Sequence, residues 1–214
     1  MNSMHAYLPV AAVLLGYLVG SISFAVIVSR AMGLNDPRTY GSKNPGATNV
    51  LRSGSKVAAV VTLLLDVAKG WLPVALVHWF GQPYGLGEGT MAVTGLAAFV
   101  GHLYPVFFRF VGGKGVATAL GVLLGISPLL GLAVAVTWLV MAWLFRYSSL
   151  ASLTAAVAAP ICYVLADGLA WYFNKSVLLS LSVMSLLLIY RHAENIGRLA
   201  RGTESRLGGK KATP

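Results

Sequence analysis

Apolar stretches about as long as the roughly 20 residues a helix needs to cross hydrocarbon recur along this chain between Tyr7 and Tyr190. Few folds accept that pattern. In a bilayer every backbone N–H and C=O has to be satisfied internally, which a helix does and a lipid-exposed loop does not. Hydrophobic residues fill 57% of the 214 positions and charged residues only 10%, which does not suit a soluble globular domain. The sequence therefore predicts an all-α integral membrane protein built as one polytopic domain, residues 1–214.

Seven transmembrane helices are predicted, at about residues 7–29, 57–80, 90–108, 116–126, 129–145, 150–165 and 176–190. In the first, Gly16 and Gly20 form a small-xxx-small face suited to close approach of another helix. The second carries Asp66 and Lys69, three apart on one face. Charges at that depth turn towards protein or water, so an internal ion pair is expected. The 116–126 run is about half a normal span, and Ser127-Pro128 separates it from the next. A short tilted helix followed by a tight turn is the expectation there, with a re-entrant pair as the alternative. Pro160 eases or kinks the sixth run. Cys162, the one cysteine, excludes a disulfide within the chain and reads as an inert thiol in an apolar run. No Lys or Arg precedes the first run, so a cleavable signal peptide is not expected.

Lys175 falls in an outer loop and Lys69 inside a span; every other Lys and Arg falls on one side of the seven-span arrangement. The positive-inside rule then places the N-terminus outside, on the periplasmic face, and the C-terminus in the cytoplasm. The net charge of +10 reports cytoplasmic loops and anionic partners at a bilayer surface, not nucleic acid.

That topology delivers four polar clusters to one face. The first, Gly41 to Arg52, combines turn-forming Gly41 and Gly46 with the neutral donors Ser42, Asn44, Thr48 and Asn49 and the cations Lys43 and Arg52. The second, Gly112-Gly113-Lys114-Gly115, opens a helix, where free N–H groups, the helix dipole and a lysine suit a phosphate. It is not a Walker A sequence. The third is Arg146-Tyr147-Ser148-Ser149. The fourth opens the basic tail of Arg191, Arg198, Arg201, Arg206, Lys210 and Lys211. If the last helix continues past the membrane, His192, Asn195 and Leu199 share a face, and Glu194 pairs with Arg198. His192 is a candidate general base. Taken singly, each cluster also reads as an ordinary solvated loop, a topological lysine or an interfacial histidine, and His102 as a helix-end packing group. Four at one surface read as a site. The sequence has no His-x-x-x-x-Asp run, no Gly-x-Ser-x-Gly elbow and no His-Glu-x-x-His, and its acidic residues are too few for a carboxylate-bound magnesium site.

Three stretches carry a resemblance. They are Gly41-Ser42-x-Asn44-x-Gly46-Ala47-Thr48-Asn49-Val50-x-Arg52; Gly101-His102-x-x-Pro105-x-Phe107 with Gly112-Gly113-Lys114-Gly115-Val116-Ala117-Thr118; and His192-x-x-Asn195-Ile196-x-Arg198-Leu199-x-x-Gly202-Thr203-Glu204. In order, spacing and topology they resemble the three motifs of the PlsY-type glycerol-3-phosphate acyltransferases, along essentially the whole chain. The resemblance implies a multi-pass protein of the bacterial inner membrane with its active site on the cytoplasmic face. It implies transfer of a fatty acyl group from acyl phosphate to the 1-hydroxyl of glycerol-3-phosphate, with no cofactor or metal, by a monomer that works beside an acyl-phosphate-producing enzyme. Carried over position by position, Ser42, Arg52, Lys114, His192 and Asn195 match activity-linked positions. Gly41, Lys43, Asn44, Gly46, Thr48, Asn49, His102, Gly112, Gly113, Gly115, Ser148, Ser149 and Arg198 match a substrate-binding set, and Glu204 looks structural. The base is either His192 or the phosphate of the acyl donor. Two other readings are an anion or organophosphate transporter, whose polar groups belong near the midplane, and a scaffold with a lipid-binding tail.

Overall fold

The computed structural model describes residues 3–208, and these are α-helical apart from turns, two single-turn 3-10 helices (Gln82–Tyr84 and Val106–Phe108) and one isolated bridge between Asp167 and Trp171. Lys210 and Lys211 of the basic tail lie outside the described residues. The helices are α1 (Ser3–Gly20), α2 (Phe24–Ala31), α3 (Ala47–Leu51), α4 (Lys56–Phe80), α5 (Glu88–Leu103), α6 (Val116–Ile126), α7 (Pro128–Phe145), α8 (Ser148–Leu165), α9 (Lys175–Arg191) and α10 (Ala193–Ala200).

Four helical segments are individually long and apolar enough to cross a membrane, and two bent pairs raise the number to six. With 11 residues, α6 spans roughly 16 Å, about half of the hydrocarbon thickness. The chain is thus a multi-pass membrane protein with four to six candidate spans, where the sequence predicts seven.

The expected continuous helix over 7–29 is instead two helices, α1 and α2, bent by 40° across Ser21 to Ser23. The break frees the carbonyl of Ile22, and Lys69 Nζ takes it up at 2.7 Å. The same ammonium lies 2.8 Å from Asp66 Oδ1, so the ion pair expected on α4 is present. Inside a bilayer a freed carbonyl must find a partner, and here α4 supplies one. The last span also turns: α9 stops at Arg191 and α10 leaves at 58°. The tail helix therefore does not continue straight out. By contrast α8 runs unbroken through Pro160.

Small residues set the helix contacts. On α1, Gly16 faces Thr94 of α5, and a Cβ at Gly20 would collide with the Ala98 carbonyl oxygen. Gly70 of α4 and Gly121 of α6 meet the backbones of Thr118 and Val67 in the same way. Such contacts let backbones approach closely in lipid, where no hydrophobic drive brings helices together. Phe99, Leu103, Val74 and Val122 fill the centre among α4, α5 and α6. The connections that follow α2, α5, α7 and α9 then meet at one end of the bundle, as their mutual hydrogen bonds show.

Candidate functional site

The first connection is organised by Asn49. This residue is buried on α3, and its Oδ1 accepts from the Ser42 amide at 3.1 Å and from Arg52 Nη1 at 3.5 Å. Its Nδ2 donates to the carbonyls of Pro37 and Tyr40 at 2.7 and 3.2 Å. Gly41 sits at φ +58° against the same amide, where a Cβ would collide with Asn49 Oδ1. Asn49 thus spends its hydrogen bonds inside the loop. That leaves Ser42 exposed and Arg52 reaching across to Ser205 Oγ at 3.2 Å.

The glycine turn follows from close packing. Gly112 and Gly113 are buried, and a Cβ on either would strike His102: its carbonyl oxygen from Gly112, its Nε2 from Gly113. The Gly113 N–H donates to the His102 carbonyl at 3.1 Å. From the other side Arg191 donates to the carbonyls of Gly112 and Gly113 at 3.0 and 3.2 Å, its guanidinium 5.6 Å from the centre of the Tyr104 ring. Gly115 takes φ +85° as α6 begins, a backbone state that favours glycine.

Lys114 projects from this turn to donate to Asn195 Oδ1 on α10. Asn195 Nδ2 donates in turn to Glu204 Oε1 at 2.6 Å, which also accepts from Ser149 Oγ at 2.8 Å. Arg198 Nε donates to Glu204 Oε2 at 2.7 Å, and Arg198 lies 3.6 Å from exposed Glu194. The segment carrying Glu204 is strapped over the neighbouring junction: Leu207 exchanges hydrogen bonds with Arg146, and Arg206 donates to Tyr147.

Charge states follow from these surroundings. Burial is the largest influence on Lys114 and, with repulsion from Arg198 and Arg191, pushes its ammonium down to about 8 against the pull of Glu204 and Glu194. Burial alone would raise Glu204, but the hydrogen bonds from Arg198, Asn195 and Ser149 hold its carboxyl below the usual carboxylate range. His192 lies just past the end of α9, where burial pushes its imidazole down to about 4. Its Nδ1 lies 2.8 Å from the Leu188 carbonyl. That oxygen requires a proton on Nδ1, which leaves Nε2 as an acceptor.

The structure thus brings together Lys114, Asn195, Arg198, Ser149 and Glu204 directly, and Arg52, Ser42, Gly41 and Asn49 around one amide. Gly46 begins α3, its carbonyl accepting from Asn49 and Val50, and Asn44 flanks it. Ser148 opens α8 with its carbonyl on Ser152 Oγ. Lys43 and Thr48 are exposed and join none of these contacts among the described residues. His102 is buried beneath the glycine turn instead of facing the open end. Sequence reasoning did not assign Arg191 or Ser205 to the site. An arginine at a helix end is read from sequence as a topological charge, and only the fold aims its fork at two glycine carbonyls.

A family model described as glycerol-3-phosphate acyltransferase matches residues 10–202. The glycerol-3-phosphate acyltransferase of Albidiferax ferrireducens (strain ATCC BAA-621 / DSM 15236 / T118) is 74% identical over 213 residues, covering 100% of this chain and 95% of that relative. That of Janthinobacterium sp. (strain Marseille) is 62% identical, covering 91% of this chain and 94% of the relative. Two crystal structures of PlsY (YgiH), an integral membrane glycerol 3-phosphate acyltransferase, share the fold. The glycerol 3-phosphate form matches with a TM-score of 0.85 at 41% identity, covering 94% of this chain and 96% of that one. The lysophosphatidic acid form matches with a TM-score of 0.83 at 40% identity, covering 94% and 95%. The transporter reading finds no support among these relatives.

Proposed function

This chain belongs to the PlsY-type glycerol-3-phosphate acyltransferase family, and from that premise we propose that it transfers a fatty acyl group from acyl phosphate to the 1-hydroxyl of glycerol-3-phosphate, releasing lysophosphatidic acid and phosphate. The observation that carries the reading is the Lys114–Asn195–Glu204 chain, closed by Ser149 and Arg198, with Arg52 reaching the same tail through Ser205. Four connections far apart in sequence supply one cationic corner, which suits two phosphate-bearing reactants. We place it at the cytoplasmic face of a bacterial inner membrane, with seven membrane-embedded segments counting α6, the N-terminus outside and the C-terminus inside. Every Lys and Arg at that end then obeys the positive-inside rule.

Glycerol-3-phosphate, small and water-soluble, is assigned to the enclosed corner of Lys114, Asn195 and Ser149. The acyl donor keeps its chain in lipid and brings its phosphate to Arg52 and the loop at Ser42. The hydroxyl oxygen attacks the acyl carbon, the bond from that carbon to the phosphate oxygen breaks, and phosphate leaves. Held down at about 4, His192 is a weak proton acceptor near neutral pH. The leaving phosphate gains basicity as the bond breaks and takes the hydroxyl proton, while His192 Nε2 and Ser42 orient the reactants. The protein contributes placement of two anions against their repulsion and cations aimed at the developing charge.

The direct test is formation of lysophosphatidic acid from acyl phosphate and glycerol-3-phosphate by purified protein in detergent with chelator present. No product would overturn the reading. A second expectation concerns pH. Lys114 holds phosphate only when charged, so KM for glycerol-3-phosphate should climb about tenfold per unit above pH 8, well before an ordinary lysine near 10.5 loses its proton. The substrate phosphate, with a second pKa near 6, no longer changes charge in that range. Folding stability should run the other way, because between about 8 and 10.5 the unfolded chain binds the proton more tightly and stability rises with pH. Steady-state KM across pH 7 to 10 checks the first, and a flat profile would remove Lys114 from the phosphate.

A further inference from the structure

Under the glycine turn lies a buried group of ionisable side chains that the chemistry above does not use. Asp66, Lys69 and His102 expose only 2%, 4% and 7% of their surface. Lys69 Nζ bridges Asp66 Oδ1 and the freed Ile22 carbonyl, at 2.8 and 2.7 Å. His102 occupies the last turn of α5 with its Nδ1 3.8 Å from Asp66 Oδ1, beyond hydrogen-bond reach, and that ring nitrogen has no hydrogen-bond partner among the described residues. The opposite ring nitrogen, Nε2, lies against Gly113, and the Pro45 carbonyl approaches the same glycine, 2.8 Å from where a Cβ would stand.

We propose that His102, backed by Asp66 and Lys69, is the positioning residue for the glycine turn and sets where Lys114 meets the phosphate of glycerol-3-phosphate. The proposal deepens the acyltransferase reading and rests on it. A buried ion pair adds little net stability over apolar packing of the same volume, so stability alone does not account for this one. Geometry does. The ammonium is fixed at the α1–α2 break, the carboxylate is fixed by the ammonium, and the imidazole is packed with its Nδ1 edge 3.8 Å from the carboxylate. Its other edge then bears on the residue that immediately precedes Lys114. Arg191 pulls the Gly112 and Gly113 carbonyls from the far side, so the turn is held between two supports. The Gly113 N–H bond to the His102 carbonyl ties the turn to the α5 backbone and does not depend on the imidazole. The side chain therefore acts on the fine placement of Lys114, and a shift on the order of 1 Å in a substrate-holding group can cost as much as a hundredfold in rate.

The test uses the full-length enzyme in detergent, with kinetic constants expressed per folded molecule and thermal melting measured in parallel. His102→Ala is expected to raise KM for glycerol-3-phosphate about tenfold or more while kcat falls less. His102→Gln, whose amide reaches the place of Nε2, should recover most of the loss, and His102→Asn, which ends near Nδ1, should recover less. Asp66→Asn should move the same KM in the same direction. Unchanged KM in folded His102→Ala or Asp66→Asn would overturn the proposal, however far melting falls. Should His102→Ala not fold, equal KM values for the Gln and Asn variants would overturn it equally. Wild-type protein assayed alongside separates this from the reading beneath it: an inactive wild type sinks the acyltransferase assignment, and an active one with indifferent variants sinks only the role of His102.

Discussion

Replacing Lys114 with alanine is expected to lower kcat/KM for lysophosphatidic acid formation by roughly a hundredfold to a thousandfold, the usual loss when one preorganised donor to a reacting anion is removed. The residue stands where three constraints meet. Its backbone is fixed by the turn that Arg191 and His102 clamp, its ammonium donates to Asn195 Oδ1, and burial has already stripped part of its water. A cation held this way meets phosphate without reorganising, so its removal should act on binding and on rate together. Folding should be untouched, or slightly favoured, because the native state no longer carries a partly desolvated ammonium. Lys114→Arg should not restore full activity. A planar fork presents its donors differently from a compact ammonium, and Asn195 offers one oxygen to receive it. Wild-type rates for purified, folded Lys114→Ala would detach the glycine turn from the chemistry.

What the sequence made legible was the local character of the connections; their mutual placement was not. The Gly-Gly-Lys-Gly turn reads as a phosphate holder because residue types at the start of a helix carry that information locally. The Asp66–Lys69 pair reads from spacing alone, since three residues apart is one helical face. Glycines 16 and 20 read the same way, although nothing local named α5 as their partner. The break after Gly20 was not legible, because Ser21, Ile22 and Ser23 form no strong helix stop and the freed Ile22 carbonyl is answered by a lysine 47 residues away. The bend at His192 escaped for a related reason: α9 ends with no glycine or proline to announce it, and α10 turns to bring Asn195 under Lys114. At Asn49 residue type and placement point in different directions. Its residue type suits a substrate donor, yet the fold buries it and turns its amide onto Ser42, Arg52, Pro37 and Tyr40. A polar residue in a glycine-rich loop can hold the ligand or hold the loop, and only burial tells which.

Glu204→Gln should lower activity by about a hundredfold through Asn195, although Glu204 sits one residue farther from any reacting atom. An ionised carboxylate only accepts hydrogen bonds. Facing Glu204 Oε1, Asn195 must therefore turn its NH2 group that way, and its carbonyl oxygen is left for the Lys114 ammonium. A glutamine at 204 offers a donor as well as an acceptor, which lets the Asn195 amide reverse and point NH2 at a cation. The same change weakens three contacts at once, from Ser149, Asn195 and Arg198, of which hydrogen bonds to charged groups are each worth roughly 1.5–3 kcal/mol. The strap from Arg201 to Gly208 should then loosen, and trypsin should cut at exposed Arg201 and Arg206 faster than in wild type. The carboxyl is held below its usual range, so its contribution to stability is present above the unfolded value near 4.5 and fades as pH falls through the lower folded value; Glu204→Gln should flatten that acid dependence. A double-mutant cycle gives the sharpest measurement. If Glu204 acts through Asn195, adding Glu204→Gln to Asn195→Ala should cost little further activity, whereas independent losses that simply add would mean that the carboxylate does not set the amide's direction.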